Sequence, residues 1–132
     1  MSLSYGTQTV KLIPEKRLVI SSASSKTNLE DIKWLADTVL EQVESWANEG
    51  WAYIADCTHM TPVTSLESSF LTDMTKRFID MGCKAFGFAE GKSFMLRIQT
   101  HNHTARFGTE ILEGHFETVE EALDWVSKAI HY

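Results

Sequence analysis

The 132-residue chain has two cysteines, two prolines, a deficit of basic residues and no long apolar run, and each shortage closes off a class of protein. A membrane-spanning helix needs roughly 20 consecutive apolar residues. No segment approaches that length, so stable membrane insertion is not expected. Twelve Lys and Arg stand against 18 Asp and Glu, giving a formal charge of −6 and a pI near 5.3. Binding to nucleic-acid phosphates needs a clustered Lys/Arg surface, so no nucleic-acid partner is expected, and docking on anionic lipid is disfavoured for the same reason. The opening Met1-Ser2-Leu3-Ser4-Tyr5-Gly6 lacks a basic segment followed by an apolar one. No secretory signal is therefore expected, and a cytoplasmic location follows. In that compartment Cys57 and Cys83 are expected as free thiols rather than a bridge. There is no internal repeat, low-complexity linker, Gly-rich phosphate loop or Cys-x-x-Cys pair.

What is present is an ordinary core. At 15.0 kDa, with 43% hydrophobic and 23% charged residues, the chain fits one domain over 1–132. A domain of that size buries roughly two-thirds of its unfolded surface. Gln8–Ile13 and Arg17–Ala23 are β-rich runs split by Pro14-Glu15-Lys16, the spacing of an antiparallel hairpin. Three helix starts carry the same signal, a Thr followed three residues later by Glu: Thr27/Glu30, Thr64/Glu67 and Thr118/Glu121. The first helix sets Ile32, Leu35, Ala36, Val39, Leu40, Val43, Trp46 and Ala47 on one stripe, with Trp34 off it. The second sets Leu66, Phe70, Met74, Phe78 and Met81 on one stripe, and the last Val119, Ala122, Leu123, Val126 and Ile130. Trp51–Asp56, Lys84–Ala89 and Ile111–Phe116 are expected strands. Ser93–Phe107 carries both periods and is assigned to a helix, because parallel neighbours need a crossover. The expected architecture is a single mixed α/β sheet, an N-terminal antiparallel hairpin followed by parallel β-α units, flanked by about four helices.

Three segments carry a family resemblance: Trp51-Ala-Tyr-Ile-Ala-Asp56, Met81-Gly82-Cys83-Lys84-Ala85-Phe86, and Phe116-Glu-Thr-Val-Glu-Glu-Ala-Leu-Asp-Trp125-Val. In order and punctuation the chain from about Gln8 onward resembles the SpoIIAA-like proteins, relatives of the STAS domain of anti-sigma factor antagonists. The resemblance implies a protein-interaction module, expected as a homodimer. In STAS domains an Asp-Ser-Ser-Gly run holds a phosphorylated serine at a helix start, which falls here at about Thr64-Ser65. The local Val63-Thr64-Ser65-Leu66-Glu67 has neither the Asp nor the Gly of that run. SpoIIAA-like domains are also grouped with the CRAL-TRIO lipid-exchange fold, which implies a second reading as carrier of a small apolar ligand.

Ligands of α/β proteins gather where strand C-termini meet helix N-termini, because unpaired N–H groups converge there. The turn after Trp51–Asp56 is that place, and Asp56, Cys57, Thr58, His59, Met60, Thr61, Thr64 and Ser65 are its candidate interaction or ligand residues. The hydroxyls suit an anion or a polar headgroup, and equally the turn and cap N–H groups. Asp56, Cys57 and His59 together offer an acid, a nucleophile and a base, a thiol or acid/base enzyme being the third reading. Phe94, Met95 and Ile98 form a candidate apolar pocket or interface, with Met60 and the second helix as further walls. His101-Asn102-His103, with His59 or His115, has the residue types of a metal site. On a helix the His-x-His rings diverge by about 200°, so no metal is expected, and no cofactor. The leading expectation is a non-enzymatic cytoplasmic binding or regulatory module acting through the Cys57–Ser65 loop and the helix after it.

Overall fold

The β-branched runs on either side of Pro14 pair antiparallel as β2 (Gln8–Ile13) and β3 (Leu18–Ala23) in the computed structural model, which describes residues 2–104 and 111–129. A 3-10 turn over Pro14–Lys16 joins them, closed by Arg17 in the left-handed region at φ 46°. A short strand without a sequence signal, β1 (Ser2–Tyr5), pairs antiparallel outside β2. Beyond β3 the strands β4 (Trp51–Asp56), β5 (Cys83–Ala89) and β6 (Leu112–Phe116) run parallel, so the six-stranded sheet keeps chain order. The helices are α1 (Leu29–Val43), α2 (Ser65–Asp80), α3 (Phe94–Thr104) and α4 (Val119–Ala129). The expected mixed sheet with four helices is thus observed. The ambiguous segment is the expected crossover helix from Phe94 to Thr104. Ala105 and Phe107 in that segment, and Ile130 of the last stripe, lie outside the described residues, as do the side chains of Phe94 and His103.

Side chains alternate across the sheet and build two cores. One face carries Val10, Val19, Tyr53, Phe86 and Phe88 beneath α1, α2 and α3, with Leu35, Val39, Met74, Phe78 and Leu96 filling the gap. The other carries Leu18, Ala52, Ile54 and Ala85 under Ala122 and Val126 of α4. Gly87 lies beneath α4, where a Cβ would make ordinary contact with Ala122 and Trp125 at 3.6 and 3.7 Å. Among the described residues no helix is long and apolar enough to cross a membrane.

Two helix starts depart from the Thr/Glu expectation. The α1 box lies one residue later: Asp31 N donates to Asn28 Oδ1 at 2.8 Å, and Asn28 N donates to Asp31 Oδ2 at 3.2 Å. Thr27 is buried instead and accepts from Gln8 Nε2 at 3.0 Å. Buried Asp31 also accepts from Thr7 Oγ1 at 3.0 Å, so the cap is selected by its tie to the β1–β2 turn. At α2, Thr64 is the N-cap but gives its hydroxyl to the Glu67 carboxylate rather than receiving a backbone N–H. At α4 the hydroxyl of Thr118 caps as expected, accepting from Glu121 N at 3.2 Å.

The α2 stripe is corrected in its first two turns. Met74 and Phe78 face inward as expected, but Leu66 and Phe70 are 58% and 45% exposed, while Glu67 is buried. Trp34, off the α1 stripe, stacks on Tyr5 of β1 with ring centroids 5.6 Å apart.

Candidate functional site

β4 delivers Asp56 to the C-terminal edge of the sheet, and the chain turns at once. Asp56 Oδ1 accepts from Thr58 N at 3.1 Å and from Thr58 Oγ1 at 2.6 Å, an Asx turn that occupies the carboxylate. Cys57 N donates to Ala89 O at 2.7 Å, and Met60 N to Cys57 O at 3.1 Å. The end of the loop is clamped to α3 by a reciprocal amide pair, Val63 N to Gln99 Oε1 at 3.0 Å and Gln99 Nε2 to Val63 O at 2.8 Å.

Below this loop lies a small, mainly apolar cavity of about 60 Å³. Tyr53, Cys57, Met60, Leu71, Met74, Phe88 and Leu96 are among its walls. Of the residues expected at the turn, Asp56, Cys57 and Met60 border the cavity, whereas Thr58, His59, Thr61, Thr64 and Ser65 are exposed around the loop. Within the expected Phe94–Ile98 wall, Leu96 borders the cavity together with Met60 and with Leu71 and Met74 of α2, while the exposed positions suit the interface alternative. Met95 and Ile98 lie on the outer side of α3, 56% and 42% exposed, and Leu96, Gln99 and Thr100 line the cavity. Residues next to one another on a helix point about 100° apart, so burying Leu96 turns its neighbours out.

No nucleophilic machinery forms from Asp56, Cys57 and His59. Burial pushes the Cys57 thiol up to about 12, and the nearby Glu90 and Asp56 carboxylates push the same way. A thiol held protonated is not a nucleophile. The strand ends at Asp56, so Cys57 turns inward while His59 is exposed in the turn. Tyr53 is likewise kept neutral by burial, its hydroxyl 2.5 Å from Ser21 Oγ. Cys57 and Cys83 are both free, buried thiols.

The densest polar chemistry stands one strand further along. Glu90, the first residue after β5, has no solvent exposure on its side chain. Its carboxylate takes the Thr100 hydroxyl of α3, lies 3.6 Å from Arg97 Nε, and meets His115 Nδ1 at 3.0 and 3.1 Å. His115 stacks on Phe88, its register partner across β5 and β6, with centroids 5.4 Å apart. Its Nε2 lies 2.5 Å from Glu113 Oε2, and the same oxygen lies 2.6 Å from His101 Nδ1. Burial works against a charged His115 ring, but hydrogen bonds and charge from Glu90 and Glu113 outweigh it and raise its pKa. Of the histidines weighed as ligands, His101 and His115 therefore converge, while His59 lies apart in the Asx turn. Glu90, Thr100 and Glu113 are the residues that sequence reasoning missed. The available signals were an acidic residue directly after an apolar strand, and the i, i+2 spacing of Glu113 and His115 on one strand face.

No family model matches the chain, and no curated protein matches it. Solved structures do. An uncharacterised DUF3478-family protein with a SpoIIAA-like fold from Shewanella loihica PV-4 superposes with a TM-score of 0.67 at 15% identity, over 96% of this chain and 98% of that one. A putative anti-sigma factor antagonist from Thermotoga maritima gives 0.60 at 14% identity, over 89% and 92%. An anti-sigma factor antagonist from Mycobacterium paratuberculosis gives 0.50 at 13%, over 94% and 98%. At such identities the likeness speaks for architecture, and this chain has the SpoIIAA-like α/β fold.

Proposed function

We propose that this protein is a non-enzymatic regulatory module that binds another protein through the start of α2 and the loop before it. The observation that carries this reading is the inverted polarity of the first two α2 turns. Leu66 and Phe70 face solvent while Glu67 is buried against Thr64. Exposed apolar side chains flanked by polar ones mark interaction surfaces, and here exposed Ser65 and Ser69 stand next to Leu66 and Phe70 in α2. The likeness to anti-sigma factor antagonists supports a protein as the occupant, since those names describe action on a protein. A homodimer using the same face is the alternative assembly.

The carrier reading is less well supported. A cavity of about 60 Å³ is smaller than the roughly 150 Å³ that accommodates benzene, so an acyl chain requires α2 and α3 to part.

Crosslinking from a photoreactive residue at position 66 in cells of the source organism, read by mass spectrometry, identifies the occupant. Binding of that protein, purified, is then measured by calorimetry. The double substitution Leu66→Glu, Phe70→Glu is expected to abolish binding while leaving the melting temperature near wild type, since both side chains are exposed. A crosslink only to a second copy reassigns the face to the homodimer. Unchanged binding by the double variant overturns the reading.

A further inference from the structure

We propose that the notch between α3 and the edge strand β6 binds a divalent first-row transition ion, Zn²⁺ foremost, through His101, Glu113 and His115. Glu113 and His115 are two apart on β6, so strand alternation puts both side chains on the face toward α3. His101 approaches from α3, and its ring and that of His115 are 6.0 Å apart between centroids. One potential ligand atom from each residue falls within a 4.8 Å group. Two imidazoles and one carboxylate form the donor set of zinc hydrolase and non-haem iron sites, whereas Mg²⁺ and Ca²⁺ select oxygen donors.

Glu113 Oε2 now lies 2.6 Å from His101 Nδ1 and 2.5 Å from His115 Nε2. Bonds of about 2.0–2.2 Å to a tetrahedral ion place ligand atoms about 3.4 Å apart, so each carboxylate–imidazole gap must widen by under about 1 Å, with the two imidazole ligand atoms already within 4.8 Å of each other. The exposed His101 side chain is at the open side of the notch and has room for that motion.

The arrangement behind His115 is the independent observation. A ligating histidine almost always gives its other ring N–H to a carboxylate, a backbone carbonyl or water, which sets the tautomer and orients the ring. His115 Nδ1 faces the fully buried Glu90 carboxylate at 3.0 Å, which turns Nε2 toward Glu113 and His101. Glu90 is in turn held by Thr100 of α3, the residue next to His101. One helix thus supplies a ligand with His101 and steadies the orienting carboxylate with Thr100. Three protein ligands leave a fourth tetrahedral position for water or a further group.

The test is a titration of the metal-free full chain with Co²⁺, read by its visible d–d absorption, followed by displacement with Zn²⁺. Saturation at one ion per chain is expected. His101→Ala and Glu113→Gln should each weaken binding by about tenfold or more, with circular dichroism and melting unchanged. Glu90→Gln, which touches no ion, should weaken it by about 10–100-fold through the lost orientation of His115. His59→Ala should bind as wild type. The proposal is overturned by the absence of saturable uptake, or by His101→Ala and Glu113→Gln variants that bind as tightly as wild type. Either result would leave the cluster as a hydrogen-bonded chain that ties α3 to the sheet.

Discussion

His115 Nδ1 lies within 3.1 Å of both carboxylate oxygens of Glu90, whose side chain is wholly removed from solvent. A buried carboxylate is tolerated only while its partners remain, because taking one away leaves an uncompensated charge in a poorly polarisable setting. This pair joins β6 to the end of β5, and through Thr100 to α3.

His115→Ala is therefore expected to destabilise the fold by about 2–3 kcal/mol, below the full cost of breaking a buried pair because Thr100 and Arg97 still face Glu90. Glu90→Gln removes the charge and should cost less, about 1–2 kcal/mol. The double variant should lose about 1 kcal/mol or more less than the sum of the two single losses, because with Glu90 neutralised the absence of His115 strands no charge. Urea unfolding of all four proteins measures it, and strict additivity would show that the pair is not coupled.

Cys57 makes the fold sensitive to alkali. Its thiol ionises near 9.0 when unfolded and is pushed to about 12 by burial in the native protein. A group whose folded pKa is raised contributes stability that is complete below the unfolded value and is lost as pH rises toward the folded one. Between pH 9 and 10 this site alone should remove about 1 kcal/mol of stability. Cys57→Ala should show a correspondingly shallower decline in urea midpoint over that interval; parallel curves for the two proteins would contradict the assignment.

Gly82 closes α2 into β5 at φ 96°, where a Cβ would sit 2.3 Å from the Ala47 carbonyl oxygen. That oxygen belongs to backbone and cannot swing aside. Gly82→Ala should cost about 2 kcal/mol or more, combining left-handed strain with displacement of the turn after α1. An unaltered thermal midpoint would mean that the turn relaxes freely.

The cavity beside Met60 makes a prediction by its volume. At about 60 Å³ it holds a solvent molecule or two rather than a lipid tail. Native mass spectrometry of the purified 15.0 kDa chain should show no lipid adduct. A stoichiometric lipid adduct would restore the carrier reading and imply that α2 and α3 separate.

Legibility in the sequence tracked how many residues shared one signal. The α1 stripe from Ile32 to Val43 repeats over several turns, and no local competitor displaces it. The α3 segment was ambiguous by period and was decided by topology, since parallel β5 and β6 demand a crossover. The α2 stripe misled at Leu66 and Phe70 because periodicity reports which residues share a face, not which face turns to the core. At α1 the cap moved from Thr27 to Asn28 because Asp31 answers to Thr7, 24 residues earlier.

By itself the sequence determined the fold class, the excess of acidic over basic residues, the inward stripe of α1 and the turn after Asp56. Those properties rest on composition and short-range repetition, which a linear chain displays directly. Only the tertiary structure decided that Cys57 is buried and His59 exposed, that Glu67 goes in where Leu66 goes out, and that Glu90, His101, Glu113 and His115 meet. Those four residues come from the end of one strand, from a helix and from an edge strand. Their proximity follows from the crossover that lays α3 across β5 and β6, and no spacing along the chain encodes it.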